Sequence, residues 1–176
     1  MIYKSKELEK QAAMQVAQLM AAAARTAPKG KGADRLEMMV LDGTDKETLS
    51  QEMRRIAEDS GAAFFQRDAG NVDDSQVVLL IGTRNGVAGV PVCGFCGFKN
   101  CAENVQHNGI CAFATGDLGI AVGSAVSVAA DHRCDNRIMF SAGKAALNLG
   151  YFGDDVIIAY GIPLAIKGKS PFFDRG

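Results

Sequence analysis

GDLGIAVGSAVSVAADHR, residues 116–133, is the stretch whose reading decides the fold. Leu118, Val122, Ala125, Val126 and Ala129 recur at intervals that gather them on one side of a helix, so a helix is predicted over 116–131. Gly119, Gly123 and Ser124 thin another side. Small residues let a second backbone or a flat group come close, and helix packing is the commoner use. The apolar and small faces together exceed what one core contact needs, so this helix should sit centrally and have surface left for a second copy of the chain.

Downstream, residues 138–149 read as a helix ended by Gly150. VIIAYGIPLAI (156–166) reads as a final strand in which Pro163, lacking an N–H, asks for a sheet edge or an exit. Upstream, QVVLLIG (76–82) is a strand rich in Val, Leu and Ile, and LEMMVL (36–41) is a second, ending at Asp42 and Gly43. Between them, Leu49, Met53, Ile56 and Ala57 form one face of a helix over about 44–60, capped by Thr44 or Asp45 and closed by Gly61. Residues 62–67, with Phe64 and Phe65, are expected as a further strand, a buried helix being the alternative. At the start, residues 6–25 carry Leu8, Ala12, Val16, Leu19, Met20 and Ala23 at helical spacing, and Pro28 with two glycines turns TAPKGKG (26–32) into a loop. Helices alternating with strands predict one domain over 1–176, α+β in class, with a central β-sheet flanked by helices.

With 176 residues, 48% of them hydrophobic, the chain can bury a substantial core without disulfides. Its 19 basic and 20 acidic residues leave a net charge of −1, which excludes the basic footprint of a nucleic-acid binder. The apolar runs near 76–82 and 156–166 are too short to span a membrane, and no basic-then-apolar leader opens the chain, so a cytoplasmic protein without a membrane partner is expected. Only His107 and His132 are available for histidine acid–base chemistry.

PVCGFCGFKNCAENVQHNGIC, residues 91–111, holds four of the five cysteines in the spacing C-x2-C-x4-C-x9-C, at Cys93, Cys96, Cys101 and Cys111. Gly94 and Gly97 let a tight turn present the first two sulfurs to one centre. A disulfide pair is disfavoured in a chain expected in a reducing compartment. Structural zinc would accept the four thiolates, or three and His107, but usually draws on two separated C-x2-C knuckles. An iron–sulfur cluster suits several thiolates from one loop under apolar cover such as Phe95 and Phe98, and is the preferred occupant. Cys134, between His132 and Asp135, reads first as a small buried residue and second as a redox-active or ligating thiol.

CGFCGFKNCA resembles the opening of the 4Fe-4S domains written C-x2-C-G-x3-C, whose fourth cysteine lies further downstream than Cys111 does here. His107 and Cys134 are therefore alternatives for the fourth ligand. From this segment through GDLGIAVGSAVSVAADHRCDNRIMFSAGKAALNLG, the chain is similar to a bacterial and archaeal family described as containing a ferredoxin domain. The AAAARTAP loop (21–28), the 116–133 helix and VIIAYGIP with the basic tail behind it also resemble the FMN-dependent nitroreductases. These resemblances imply a nitroreductase-like sheet with an inserted cysteine-rich cluster loop, and pairing of two copies through 116–131 as a homodimer. They further imply FMN with its phosphate on the Arg25, Lys29 and Lys31 loop and on the tail at Lys167 or Arg175. The Arg-Ser-x-Arg and Asn-x-Gln-Pro-Trp signatures of typical nitroreductases are absent. The expectation is an iron–sulfur redox protein, an electron carrier or oxidoreductase whose substrate and redox partner the residues do not name.

Overall fold

The computed structural model describes residues 2–173, so Arg175 lies outside the described residues. Helix α1 (Ser5–Thr26) buries Ala13, Val16, Ala17, Met20 and Ala24 along one stripe. Its first turn is closed by Glu7, whose carboxylate accepts the Lys4 backbone N–H at 2.9 Å. Its last turn is closed by Lys29, whose ammonium donates to the carbonyls of Ala24, Arg25 and Ala27. Those carbonyls have no helical partner, and a cation there also meets the negative end of the helix dipole.

Strand β1 (Leu36–Leu41) leads to α2 (Gly43–Ser60), which stops at Gly61 in the left-handed region with φ 70°. The strand expected over 62–67 is instead the start of helix α3 (Ala63–Asp74). Phe65, Asp68, Ala69 and Val72 are its buried residues, and the helical period they define emerges only beyond residue 67. Strand β2 (Val77–Arg84) follows. After an irregular segment come α4 (Cys101–Gln106), α5 (Ala112–Asp131), the two-residue β3 (Asp135–Asn136), α6 (Phe140–Asn148) and β4 (Val156–Ala165).

The strands pair antiparallel in the order β1-β2-β4-β3. Alternation along β2 sends Val77, Leu79 and Ile81 into a core shared with α1 and α5, and Val78 and Leu80 into one shared with α2, α3 and α6. The result is a sheet between two helical layers. Strand β4 is internal, which corrects the edge position expected for Pro163. Gly161 exchanges backbone hydrogen bonds with Met139, so Pro163, two residues on, turns its nitrogen to that same side, away from β2. β3 there is only two residues long.

α5 begins four residues before the predicted start and is, among the described residues, the one helix long and apolar enough to cross a membrane by length and composition. Uninterrupted apolar runs missed it because glycines and serines dilute its outer side. Its inner side packs on α1 and the sheet. On the opposite layer, Ser141 donates to the buried Asp68 carboxylate at 2.6 Å, joining α6 to α3, while Arg67 holds the other oxygen.

α6 approaches β4 more closely than any side chain at residue 143 would permit. A Cβ on Gly143 would lie 1.9 Å from the Ala159 carbonyl oxygen. Gly143→Ala is expected to cost about 2–3 kcal/mol through overpacking against backbone, a drop of roughly 4–12 °C in Tm at this chain length. Gly70→Ala in α3, where an added Cβ meets nothing, should be neutral or stabilise by up to about 1 kcal/mol. Thermal unfolding followed by circular dichroism compares the two, and equal midpoints for Gly143→Ala and wild type would refute the contact.

Candidate metal centre

The segment 85–111 leaves the sheet at the end of β2 and rejoins the fold at the start of α5. Its first limb is fastened by two cations from the α1–β1 connection: Arg35 donates to the Val87 carbonyl at 2.9 Å and Lys31 to that of Gly89 at 3.5 Å. The turn around the first two cysteines uses left-handed backbone at Gly94 (φ 66°) and Gly97 (φ 82°), with Gly97 N–H donating to Gly94 O at 3.0 Å. Val92 also has positive φ, 56°, which a β-branched residue rarely adopts.

Cys101 opens α4, capped by the Asn100 side chain, which accepts the Glu103 N–H at 3.0 Å. After α4 the chain turns back over Phe98: Gly109 N–H donates to Asn104 O at 2.8 Å, and a Cβ on Gly109 would lie 2.5 Å from the Phe98 ring. This tight return delivers Cys111 to the position preceding α5, where it is buried. Cys93, Cys96 and Cys101 are partly exposed, and all five cysteines are free thiols.

Cys93, Cys96, Cys101 and Cys111 line one cavity of about 360 Å³, walled further by Phe98 and Phe113. Among the described residues no three His, Cys, Asp or Glu side chains gather about a single point as a lone ion would require. The alternatives for the fourth thiolate lie elsewhere. His107 is exposed, donates from Nδ1 to the Glu103 carbonyl at 2.9 Å, stacks on Phe98, and does not line the cavity. Cys134 follows the far end of α5, about 30 Å of helix away. Burial and the Asp135 carboxylate push its thiol up to about 11, so it stays protonated near neutral pH.

A second cavity of about 460 Å³ adjoins the first and shares Ala112 and Phe113 with it. The Phe95 and Phe113 rings lie within 9° of parallel at 6.1 Å. Asp117 is the sixth residue of α5 and buried; both its carboxylate oxygens accept the Gly30 N–H, at 3.0 and 3.1 Å. It thereby fixes the 28–32 loop against α5.

Of the five basic residues expected to hold a phosphate, Arg175 lies outside the described residues, and the other four are not all brought together within one chain. Arg25 bonds Asp34 at 2.6 Å and the Leu36 carbonyl at 2.9 Å, and Lys29 is spent on the end of α1. Lys167 pairs with Asp74 at 2.9 Å, beside the start of β2. The Arg25–Lys31 loop stands near the other end of that strand, where Leu36 pairs with Thr83, about 24 Å along the sheet. Arg35, which no local motif marks, is the residue that sequence reading passed over, because its contact with Val87 spans 52 positions.

Residues 107–175 match the family model described as "Uncharacterized protein containing a ferredoxin domain", a region that includes Cys111 and Cys134 but not the first three cysteines of the motif. Over 183 aligned residues the chain is 41% identical to an uncharacterized protein of Archaeoglobus fulgidus, covering 99% of this chain and 98% of that one. In fold it is similar to a nitroreductase with bound FMN from Desulfitobacterium hafniense, with TM-score 0.59 and 15% identity over 88% of this chain and 78% of the other. A BluB-like flavoprotein from Clostridium difficile gives TM-score 0.54 and 14% identity over 89% and 84%. At such identities the likeness establishes the architecture alone, an α+β fold of the nitroreductase type. The chain thus belongs to the family of uncharacterized proteins containing a ferredoxin domain, built on a nitroreductase-like fold.

Proposed function

We propose that this protein is an iron–sulfur redox protein that holds one 4Fe-4S cluster on Cys93, Cys96, Cys101 and Cys111. The observation that carries the reading is that these four cysteines, and not Cys134, line one cavity. A cluster bound there supplies one-electron transfer. The chain's own contribution is to space the ligands: Gly94 and Gly97 shape the turn that carries the first pair, α4 begins at Cys101, and Phe98 and Phe113 give the cavity apolar cover. The partial exposure of Cys93, Cys96 and Cys101 leaves the outer side open to a redox partner. A single zinc would instead need four sulfurs about 3.8 Å apart around one point. Free thiols of this kind suit the reducing cytoplasm.

Anaerobically purified protein should be brown and contain iron and acid-labile sulfide. Each of Cys93→Ser, Cys96→Ser, Cys101→Ser and Cys111→Ser should lose most of both, because a hydroxyl is a poor iron ligand, whereas Cys134→Ser and His107→Gln should keep wild-type content. Colourless protein with one zinc per chain would instead establish the structural-zinc alternative.

Flavin mononucleotide is the second cofactor that the fold suggests, with the aromatic cavity beside the 28–32 loop as its candidate place. Lys29 and Lys31 belong to that loop, with Lys29 lining the cavity, and Lys167 does not. Titration of the protein with the flavin, followed by fluorescence, should give saturable binding below roughly 50 µM. Lys31→Gln should weaken it and Lys167→Gln should not; no saturation in that range would leave the cluster as the sole redox centre.

The homodimer is proposed to form through the outer face of α5, where Gly116, Gly119, Ile120 and Gly123 are exposed and a Cβ on any of the three glycines meets nothing. Light scattering at micromolar concentration should report a dimer for wild type and Gly70→Leu and a monomer for Gly123→Leu. A monomeric wild type would overturn the pairing.

A further inference from the structure

Behind the wall of the cysteine cavity stands a cation without a counter-ion. Arg35 immediately precedes β1, and its carbonyl accepts the Arg84 N–H at 2.9 Å, so its backbone is held by the sheet just where β2 ends. Its Nη2 donates to Val87, a residue lining the cavity, while its Nη1 is buried with no hydrogen-bond partner. Arg25, Arg54, Arg55, Arg67 and Arg84 each face a carboxylate; among the described residues Arg35 faces none. The guanidinium fits because residue 86 is glycine: a Cβ there would lie 2.6 Å from Arg35 Nε and 3.2 Å from Cζ.

A buried guanidinium nitrogen with nothing to bond is unfavourable unless negative charge comes close. Four thiolates outweigh the charge of a divalent ion or of a cubane core, so the loaded cavity is anionic. We propose that Arg35 is the positioning residue and counter-charge of the cysteine centre: its fork seats the 85–92 limb through Val87, and its charge offsets that of the loaded cavity and so favours the more reduced state of the metal held there. The inference rests on the reading of Cys93, Cys96, Cys101 and Cys111 as one thiolate centre, but not on which metal occupies it.

The test uses Arg35→Met, which keeps an apolar stem without charge or fork, Arg35→Lys, which keeps charge alone, and Gly86→Ala, which pushes the guanidinium from its seat. Release of Zn²⁺ from zinc-loaded protein to a chelator should be about tenfold faster in Arg35→Met and Gly86→Ala, as for other residues that support metal ligands from outside. Iron-loaded Arg35→Met should show a lower midpoint potential than wild type, and Arg35→Lys should restore the potential while still releasing zinc faster. Arg55→Gln, which removes an exposed pair with Glu52 on α2, should change neither reading appreciably. Wild-type release and potential in Arg35→Met would overturn the proposal. If Arg35→Met does not fold, wild-type release from Gly86→Ala and Arg35→Lys would do the same. Protein that takes up zinc but never iron and sulfide would refute the cluster while zinc release still judged Arg35; protein that takes up neither would refute both.

Discussion

Strand β2 buries side chains on both of its faces, and from Val77 to Ile81 none has exposed surface. A strand in that position needs a layer of apolar side chains on each side, so the sheet can be stable only between two sets of helices. α1 and α5 supply one layer; α2, α3 and α6 supply the other. The two layers are built differently. The first relies on alanines along α1 and α5, Ala13, Ala17, Ala121 and Ala125 among them, whereas the second closes by removing side chains altogether at Gly143 and Gly161. The end of β2 at Arg84 is then the point from which the cysteine segment departs, and the start of α5 is where it must return.

Much of the positive charge is used internally. Lys29 donates to three carbonyls at the end of α1, and Lys46 does the same for Val72, Asp73 and Ser75 at the end of α3. Burial holds the Lys46 ammonium below its ordinary pKa, although Asp73 works the other way. A lysine clasped by carbonyls is committed and has little left for a phosphate. Arg35 is the exception, since its position is fixed while part of its hydrogen-bonding capacity remains unused.

The elements that sequence reading found are those whose period repeats long enough to be heard. α1, α2, α5 and α6 carry at least two turns of regular apolar spacing, and β1 and β2 are apolar runs with clear stops. α3 was misread because its first residues, Ala63, Phe64 and Phe65, suit either period, and only Asp68, Ala69 and Val72 decide. β4 was found, but its internal place was not, since the residue that covers the proline side, Met139, comes from a separate element. At the candidate centre the cysteine spacing pointed to one loop, while the placing of Cys111, and not His107 or Cys134, on the cavity beside the other three cysteines follows from the return turn at Gly109 and from the length of α5. Neither is visible locally. The Asp117–Gly30 and Arg35–Val87 contacts join residues 87 and 52 positions apart, and no single sequence carries a signal for such pairs.

No residue between 85 and 110 belongs to either core. The scaffold's apolar burial is therefore complete without the cysteine loop, and the loop's own contacts are mostly backbone bonds and a few apolar side chains around Phe98 and Phe113. Closing the two cores is thereby separable from whatever the cysteine cavity comes to hold: the loop can change its course or its contents without reopening either core.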